Sequence, residues 1–118
     1  MKKTLPMPPS NKSYSMTSGQ IEAASQFFAA LAEPARLRLV QSLMESDLTV
    51  SEIIEVTGFK QANASKHLGI LLRVGLVKKS KEGTFSRYAL ADPFVHDLCF
   101  LVCNSLEQHA SKRLQSLK

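Results

Sequence analysis

The sequence predicts a mainly α-helical domain with a small two-stranded β-hairpin, and three stretches predict it. Thr49 to Gly58 forms a short capped helix, and Gln61 to Val74 forms a second helix after a tight connection. Leu76 to Leu90 then supplies two strands with lysines near their tip. Two helices joined by a few residues and followed by a basic hairpin describe a winged helix-turn-helix. That module sets one helix into a DNA major groove and lays the hairpin against the backbone.

The elements follow in order. Thr17 or Ser18 caps a first helix running to about Leu31, with Ile21, Ala24, Phe28 and Leu31 on one face. Pro34 sits in the first turn of a second helix, with Glu33 just before it, and Leu37, Val40 and Leu43 form its buried stripe. Thr49 and Glu52 make a T-x-x-E capping box at the start of the third helix. Ile53, Ile54 and Val56 supply its apolar side, and Gly58 ends it. The fourth helix turns Ala64, His67, Leu68 and Leu71 to one face, and Gly75 is its natural C-terminal cap. The wing strands are Leu76 to Lys81 and Thr84 to Leu90, turned at Glu82-Gly83. Asp92 caps a last helix that starts at Pro93 and reaches about Leu117.

At 118 residues the chain holds one domain, residues 18–118, behind an N-terminal arm over residues 1–17. Pro6, Pro8 and Pro9 keep helix out of the arm, which reads as flexible, and Lys2, Lys3 and Lys12 could add non-specific phosphate contacts. The arm has no apolar core of the kind a secretory signal carries. No apolar run approaches the ~18 residues of a membrane helix. Two cysteines on one helix make no secreted disulfide framework, so the expected location is the cytoplasm.

The net charge of +5 suits a polyanion partner, and its distribution says more. From Lys60 to Arg87 there are seven basic residues (Lys60, Lys66, Arg73, Lys78, Lys79, Lys81, Arg87) against one acid, Glu82. On the fourth helix Gln61, Asn63, Ser65 and Lys66 remain near the exposed N-terminal end, beside Lys60. Asn and Gln can grip adenine bidentately, whereas Ser and Lys serve bases or phosphates; each base contact is worth ~1 to 3 kcal/mol of discrimination. The expected DNA-binding set is therefore Lys60, Gln61, Asn63, Ser65 and Lys66 on the helix, with Lys79, Lys81 and Arg87 on the wing. His67, on the inner face, reads as a hydrogen-bonded packing residue.

The runs FFAALAEPARLRLVQSL, TVSEI, ANASKHLGILLRVGLVKK and GTFSRYAL resemble the ArsR/SmtB family of bacterial repressors, from roughly Phe27 to Asp92. The most specific pieces are EPARLRLV, S-K-H-L-x-x-L and G-L-V followed by the Gly83 hairpin. The resemblance implies a homodimer that binds an inverted-repeat operator in double-stranded DNA and releases it when an effector binds. Lys60 departs from the family, which often has a small capping residue there.

The last helix is apolar over most of its circumference. Val95, Leu98, Leu101, Val102 and Ser105 cluster on one side; Cys99, Cys103, Leu106, Ala110 and Leu117 extend onto another. A second copy of the chain is the economical cover, and the resemblance agrees that first and last helices build the dimer. Ile21, Phe28, Val102 and Leu106 are the expected interface residues. His96, Cys99 and Cys103 fall within roughly 60° of one another on this helix. Three readings of the thiols stand open: buried packing residues, redox or sulfur sensing, and binding of a thiophilic metal or metalloid ion.

The family's better-known effector sites are mostly missing. A metalloid-type site would place C-x-C near the start of the third helix, where this chain has Thr49 and Ser51. A zinc-type site would pair Asp-x-His with a later His-x-x-Glu on the last helix. Asp92 matches its first member, but the other positions hold Phe94, Ser105 and Gln108.

The leading expectation is a dimeric, sequence-specific DNA-binding repressor that requires no cofactor. The alternatives are a winged-helix interaction adaptor without an operator, or a repressor whose cysteines are purely structural. Enzyme chemistry has little support: the chain has no phosphate loop and no His-Glu-x-x-His. Ser65 and His67, two apart on a helix, point away from each other.

Overall fold

The computed structural model describes residues 15–116, so most of the arm expected over residues 1–17, with its three lysines, lies outside the described residues, as does Leu117. Five helices and three short strands follow in the order α1 (Ser18–Leu31), α2 (Pro34–Glu45), β1 (Leu48–Thr49), α3 (Val50–Thr57), α4 (Gln61–Arg73), β2 (Val77–Glu82), β3 (Phe85–Leu90) and α5 (Pro93–Ser116).

Local chemistry sets the helix starts. The Thr17 hydroxyl accepts from Gln20 N–H at 3.1 Å, while the Gln20 side chain accepts from Thr17 N–H at 2.9 Å. The same reciprocal box opens α3, where Glu52 accepts from Thr49 N–H at 2.8 Å. That hydrogen bond from the Thr49 backbone, then the bond to its hydroxyl, holds the Glu52 carboxyl below the usual carboxylate range. Pro34 occupies the first turn of α2. Asp92 Oδ1 accepts from Phe94 N–H at 2.8 Å at the start of α5.

The sheet has one strand more than the expected hairpin. β1 pairs antiparallel with β3, Leu48 opposite Tyr88 and Thr49 opposite Arg87, giving the order β1-β3-β2. Two residues are too short to carry a strand's alternation, and Thr49 serves the helix cap at the same time. The hairpin register pairs Val77 with Leu90 and Glu82 with Phe85, so the turn residues are Gly83 and Thr84. Gly83 takes φ 65°, the left-handed region a tight hairpin asks of glycine.

Leu39, Val40 and Leu43 of α2, Ile53 of α3, Leu68 and Leu71 of α4, and Leu76, Val77, Tyr88 and Val95 form one core. Two expected core positions are corrected. Leu37 is 44% exposed, because the inner arc of α2 runs through Arg36, Leu39, Val40 and Leu43 instead. Val56 is 64% exposed, since α3 buries only Ile53 fully.

Only the first turns of α5 pack on the domain. Val95 is buried and Cys99 lies against the core, while every described side chain from 100 to 113 is exposed. Val102 and Leu106 continue the face that Val95 buries, one and two turns beyond the domain's edge. Ile21 and Phe28 are likewise exposed on α1. No helix among the described residues is long and apolar enough to cross a membrane.

Candidate nucleic-acid interface

The turn between α3 and α4 is built tightly. Gly58, at φ 76°, donates its N–H to Ile54 O at 2.8 Å. The Thr57 hydroxyl donates to Ile53 O at 2.7 Å and accepts from Phe59 N–H at 3.3 Å. Phe59 packs on the core and fixes the direction in which α4 leaves.

α4 buries Ala64, His67, Leu68 and Leu71, and its register leaves Gln61, Asn63, Ser65 and Lys66 exposed together with Ala62, Gly69 and Arg73. Lys60 stands at the N-cap with no side-chain hydrogen bond to the helix. The N–H groups of Gln61, Ala62 and Asn63 precede the first intrahelical bond, from Ala64 N–H to Lys60 O at 2.9 Å. An exposed helix start with an uncapped partial positive charge and a lysine beside it suits an anion such as a backbone phosphate. A Cβ placed on Gly69 meets nothing within 4 Å, so the chain's own packing does not require glycine there.

His67 is 8% exposed and accepts at Nδ1 from the Arg36 guanidinium at 3.2 Å. Arg36 also donates through Nε to Ala30 O at 2.6 Å and reaches Ala29 O at 3.5 Å. One side chain thus satisfies the carbonyl end of α1 and a buried ring on α4. Sequence reasoning missed Arg36, although its place between Glu33 and Val40 at helical spacing put it on the inner arc of α2.

The strand register separates the wing cations. Residues directly opposite in an antiparallel pair share a face, so Lys79 and Lys81 lie with Tyr88 and Ser86, and the Lys79 ammonium sits 5.9 Å over the Tyr88 ring. Arg87 lies on the other face beside Ser80. Its Nε donates to Glu82 at 2.6 Å and its NH1 to Asp47 O at 3.2 Å, with Glu52 at 3.8 Å. The bond to Glu82 raises the Arg87 pKa further. This guanidinium ties the wing to β1 and the α3 cap, on the face of the hairpin away from Lys79 and Lys81.

On α5, Cys99 and Cys103 are both free thiols, Cys99 half-buried and Cys103 exposed. Burial pushes the Cys99 thiol up, and the neighbouring Cys103 adds to the shift. The expected three-member face does not gather. The His96 ring lies 3.6 Å from Asp97, and no group of three or more His, Cys, Asp or Glu side chains among the described residues is placed to hold a metal ion.

A helix-turn-helix with an outward polar face, followed by a lysine-bearing hairpin, defines the class: a winged helix-turn-helix DNA-binding regulator. The description "Bacterial regulatory protein, arsR family" matches residues 33–79. The chain is 38% identical over 80 residues to the "Probable mercury resistance operon repressor" of Streptomyces lividans, covering 68% of this chain and 64% of that protein's length. It is 33% identical over 95 residues to the HTH-type transcriptional regulator Rv0081 of Mycobacterium tuberculosis, covering 80% and 83% of the two chains. The crystal structure of M. tuberculosis Rv0081 superposes with a TM-score of 0.76 at 30% identity, over 83% of this chain and 99% of that one. The homodimeric winged helix-turn-helix domain of Mb0332 from Mycobacterium bovis superposes with a TM-score of 0.77 at 27% identity, over 88% and 95%. The chain belongs to the arsR family of bacterial regulatory proteins.

Proposed function

We propose that this regulator is a homodimeric repressor that holds an inverted-repeat operator and releases it when the thiols of α5 take an effector. The observation that carries the DNA half is the outer face of α4. Gln61, Asn63, Ser65 and Lys66 are all exposed at the start of a helix whose other side is wholly buried. Asn63 and Ser65 read base edges; Lys66, Lys60 and the free N–H groups behind Lys60 hold phosphates. Lys79 and Lys81 extend the phosphate contacts along the wing. The site of action is the cytoplasm, where the DNA is.

Two copies joined through α1 and α5 set two α4 helices toward successive major-groove faces, about 34 Å apart. Ile21, Phe28, Val102 and Leu106 supply the apolar contact, all four being exposed in the single chain, and a homodimeric relative of the same fold supports the pairing of two copies. A small rotation between copies then costs a half-site, which is how an effector on α5 acts at a distance. The name of the mercury resistance repressor supports a thiophilic metal as effector, and Cys99 with Cys103 supplies the soft ligands.

The test is selection of binding sites from random duplexes by the reduced protein. An inverted repeat with half-sites about one helical turn apart is expected. Four lysines from each copy neutralise about eight phosphates, so the affinity should fall with salt at a log–log slope of about −7. Recovery of no preferred sequence would favour an interaction adaptor.

A further inference from the structure

We propose that Glu82, an acid at the tip of the wing, is a positioning residue that promotes DNA binding by fixing the wing, through Arg87, against the helix-turn-helix. The inference rests on the reading of Lys79 and Lys81 as phosphate contacts and assigns a residue outside that set.

Glu82 is the one acid between Lys60 and Arg87, and it lies in an element laid against a polyanion. On charge alone it repels phosphates and weakens binding. Its bonding gives it another use. Glu82 Oε2 accepts from Arg87 Nε at 2.6 Å, while Arg87 NH1 donates to Asp47 O at 3.2 Å and lies 3.8 Å from Glu52 Oε1. That Glu52 oxygen is the one that accepts from Thr49 N–H in the cap of α3. One guanidinium therefore spans from the wing tip to the start of α3 and to the residue before β1.

The sheet shows why the wing needs this span. β1 is two residues long and reaches along β3 only as far as Arg87, opposite Thr49. The Lys81–Ser86 and Glu82–Phe85 pairs and the turn at Gly83 and Thr84 extend past it. Residues 81 to 85 are all exposed. A two-stranded hairpin without further cover is marginal in water, so backbone pairing alone leaves this overhang free to swing. Arg87 is the last residue of β3 flanked by a strand on both sides, and its side chain joins the overhang to the body.

The chemistry of the group suits the task. A planar guanidinium offers donors in a fixed fork and so sets the angle between its partners, which an ammonium on a flexible stem does not. A lone exposed ion pair holds little, but several acceptors on one fork hold more. The two acids also neutralise Arg87 locally, leaving Lys79 and Lys81 on the other face as the charges offered to phosphate. Holding them in place before DNA arrives removes an ordering cost from binding.

The experiment compares the full chain with Glu82→Thr, with Arg87→Lys and with the double variant Lys79→Ala, Lys81→Ala. Threonine suits a strand at position 82 but carries no charge and is too short to reach Arg87. Operator affinity is measured across a salt series, urea midpoints report stability, and NMR relaxation reports the motion of amides 81–86 in the free protein. Glu82→Thr should bind the operator about 3- to 10-fold more weakly although it removes a negative charge, with the salt slope and urea midpoint of the parent. Its amides 81–86 should gain motion on the nanosecond scale. Arg87→Lys, which keeps the charge without the fork, should lose about as much affinity. Tighter binding by Glu82→Thr, parent affinity in Arg87→Lys, or unchanged relaxation over residues 81–86 would overturn the proposal. An unchanged salt slope in the double lysine variant would instead sink the phosphate reading of the wing, and the sign of the Glu82→Thr effect would still decide the role of Glu82.

Discussion

The Arg36 guanidinium stands 3.2 Å from His67 Nδ1, and the same side chain donates to Ala30 O at 2.6 Å. Arg36 therefore joins α1, an arm of the proposed dimer contact, to α4, the proposed reading helix. His67 accepts at Nδ1, so its ring proton resides on Nε2.

Removing this fork leaves a buried ring nitrogen and two carbonyls at the end of α1 to find other partners. Arg36→Met, which keeps the aliphatic stem, should destabilise the fold by about 1 to 3 kcal/mol. Operator affinity should fall with it, although Arg36 lies off the DNA-facing side of α4. Arg36→Lys keeps the charge without the fork and should recover only part of the loss. Urea unfolding and operator titration on the three proteins check this; unchanged values for Arg36→Met would remove the link.

Gly69 lies outward on α4 with open space around it. A helix-interior glycine costs about 1 kcal/mol relative to alanine, so Gly69→Ala should raise the stability of the free protein by about that amount. If α4 lies close in the groove, the same methyl group should weaken operator binding. A variant that is more stable and binds as well as the parent would show that the groove leaves room there.

Lys60 holds the N-cap of α4 without capping it. Lys60→Ser should supply the missing cap and add about 0.5 to 2 kcal/mol of stability. It should also lose operator affinity and lower the steepness of the salt dependence by about one per copy. Gain in stability with no change in the salt slope would place Lys60 away from the phosphates.

Val102 and Leu106 lie beyond the edge of the domain on the face that Val95 buries. Leu106→Glu should yield a monomer by sedimentation, with its thermal unfolding still cooperative and its operator affinity greatly reduced. An intact, fully active dimer would contradict the placing of α5 at the interface.

The DNA-binding module was legible because its signals are local. The capping box at Thr49, the glycine at 58 and the spacing of Ala64, Leu68 and Leu71 fix helix starts, ends and faces without help from the rest of the chain, whereas the choice of Thr17 over Ser18 as the cap of α1 is made by its reciprocal bonds with Gln20. What was not legible depended on tertiary contacts. β1 is too short to show alternation, and only its pairing with β3 reveals it. Leu37 and Leu39 both fit a helical apolar stripe, and the choice between them is made by what packs on α2. Arg36 hid on that inner arc because a charged residue reads as solvent-facing. Arg87 reads as one more wing cation in the sequence, and only the strand register and the bond to Glu82 show that it lies on the face away from Lys79 and Lys81.

Asn63 and Ser65 are where reading of sequence by the exposed N-terminal face of α4 can be separated from phosphate binding. Binding of the Asn63→Ala, Ser65→Ala double variant should be measured on the selected operator and on random duplex at one salt concentration. A loss of about 1 to 3 kcal/mol is expected on the operator for each base contact removed, with random-DNA binding nearly unchanged. Equal loss on both duplexes, or none on either, would contradict it.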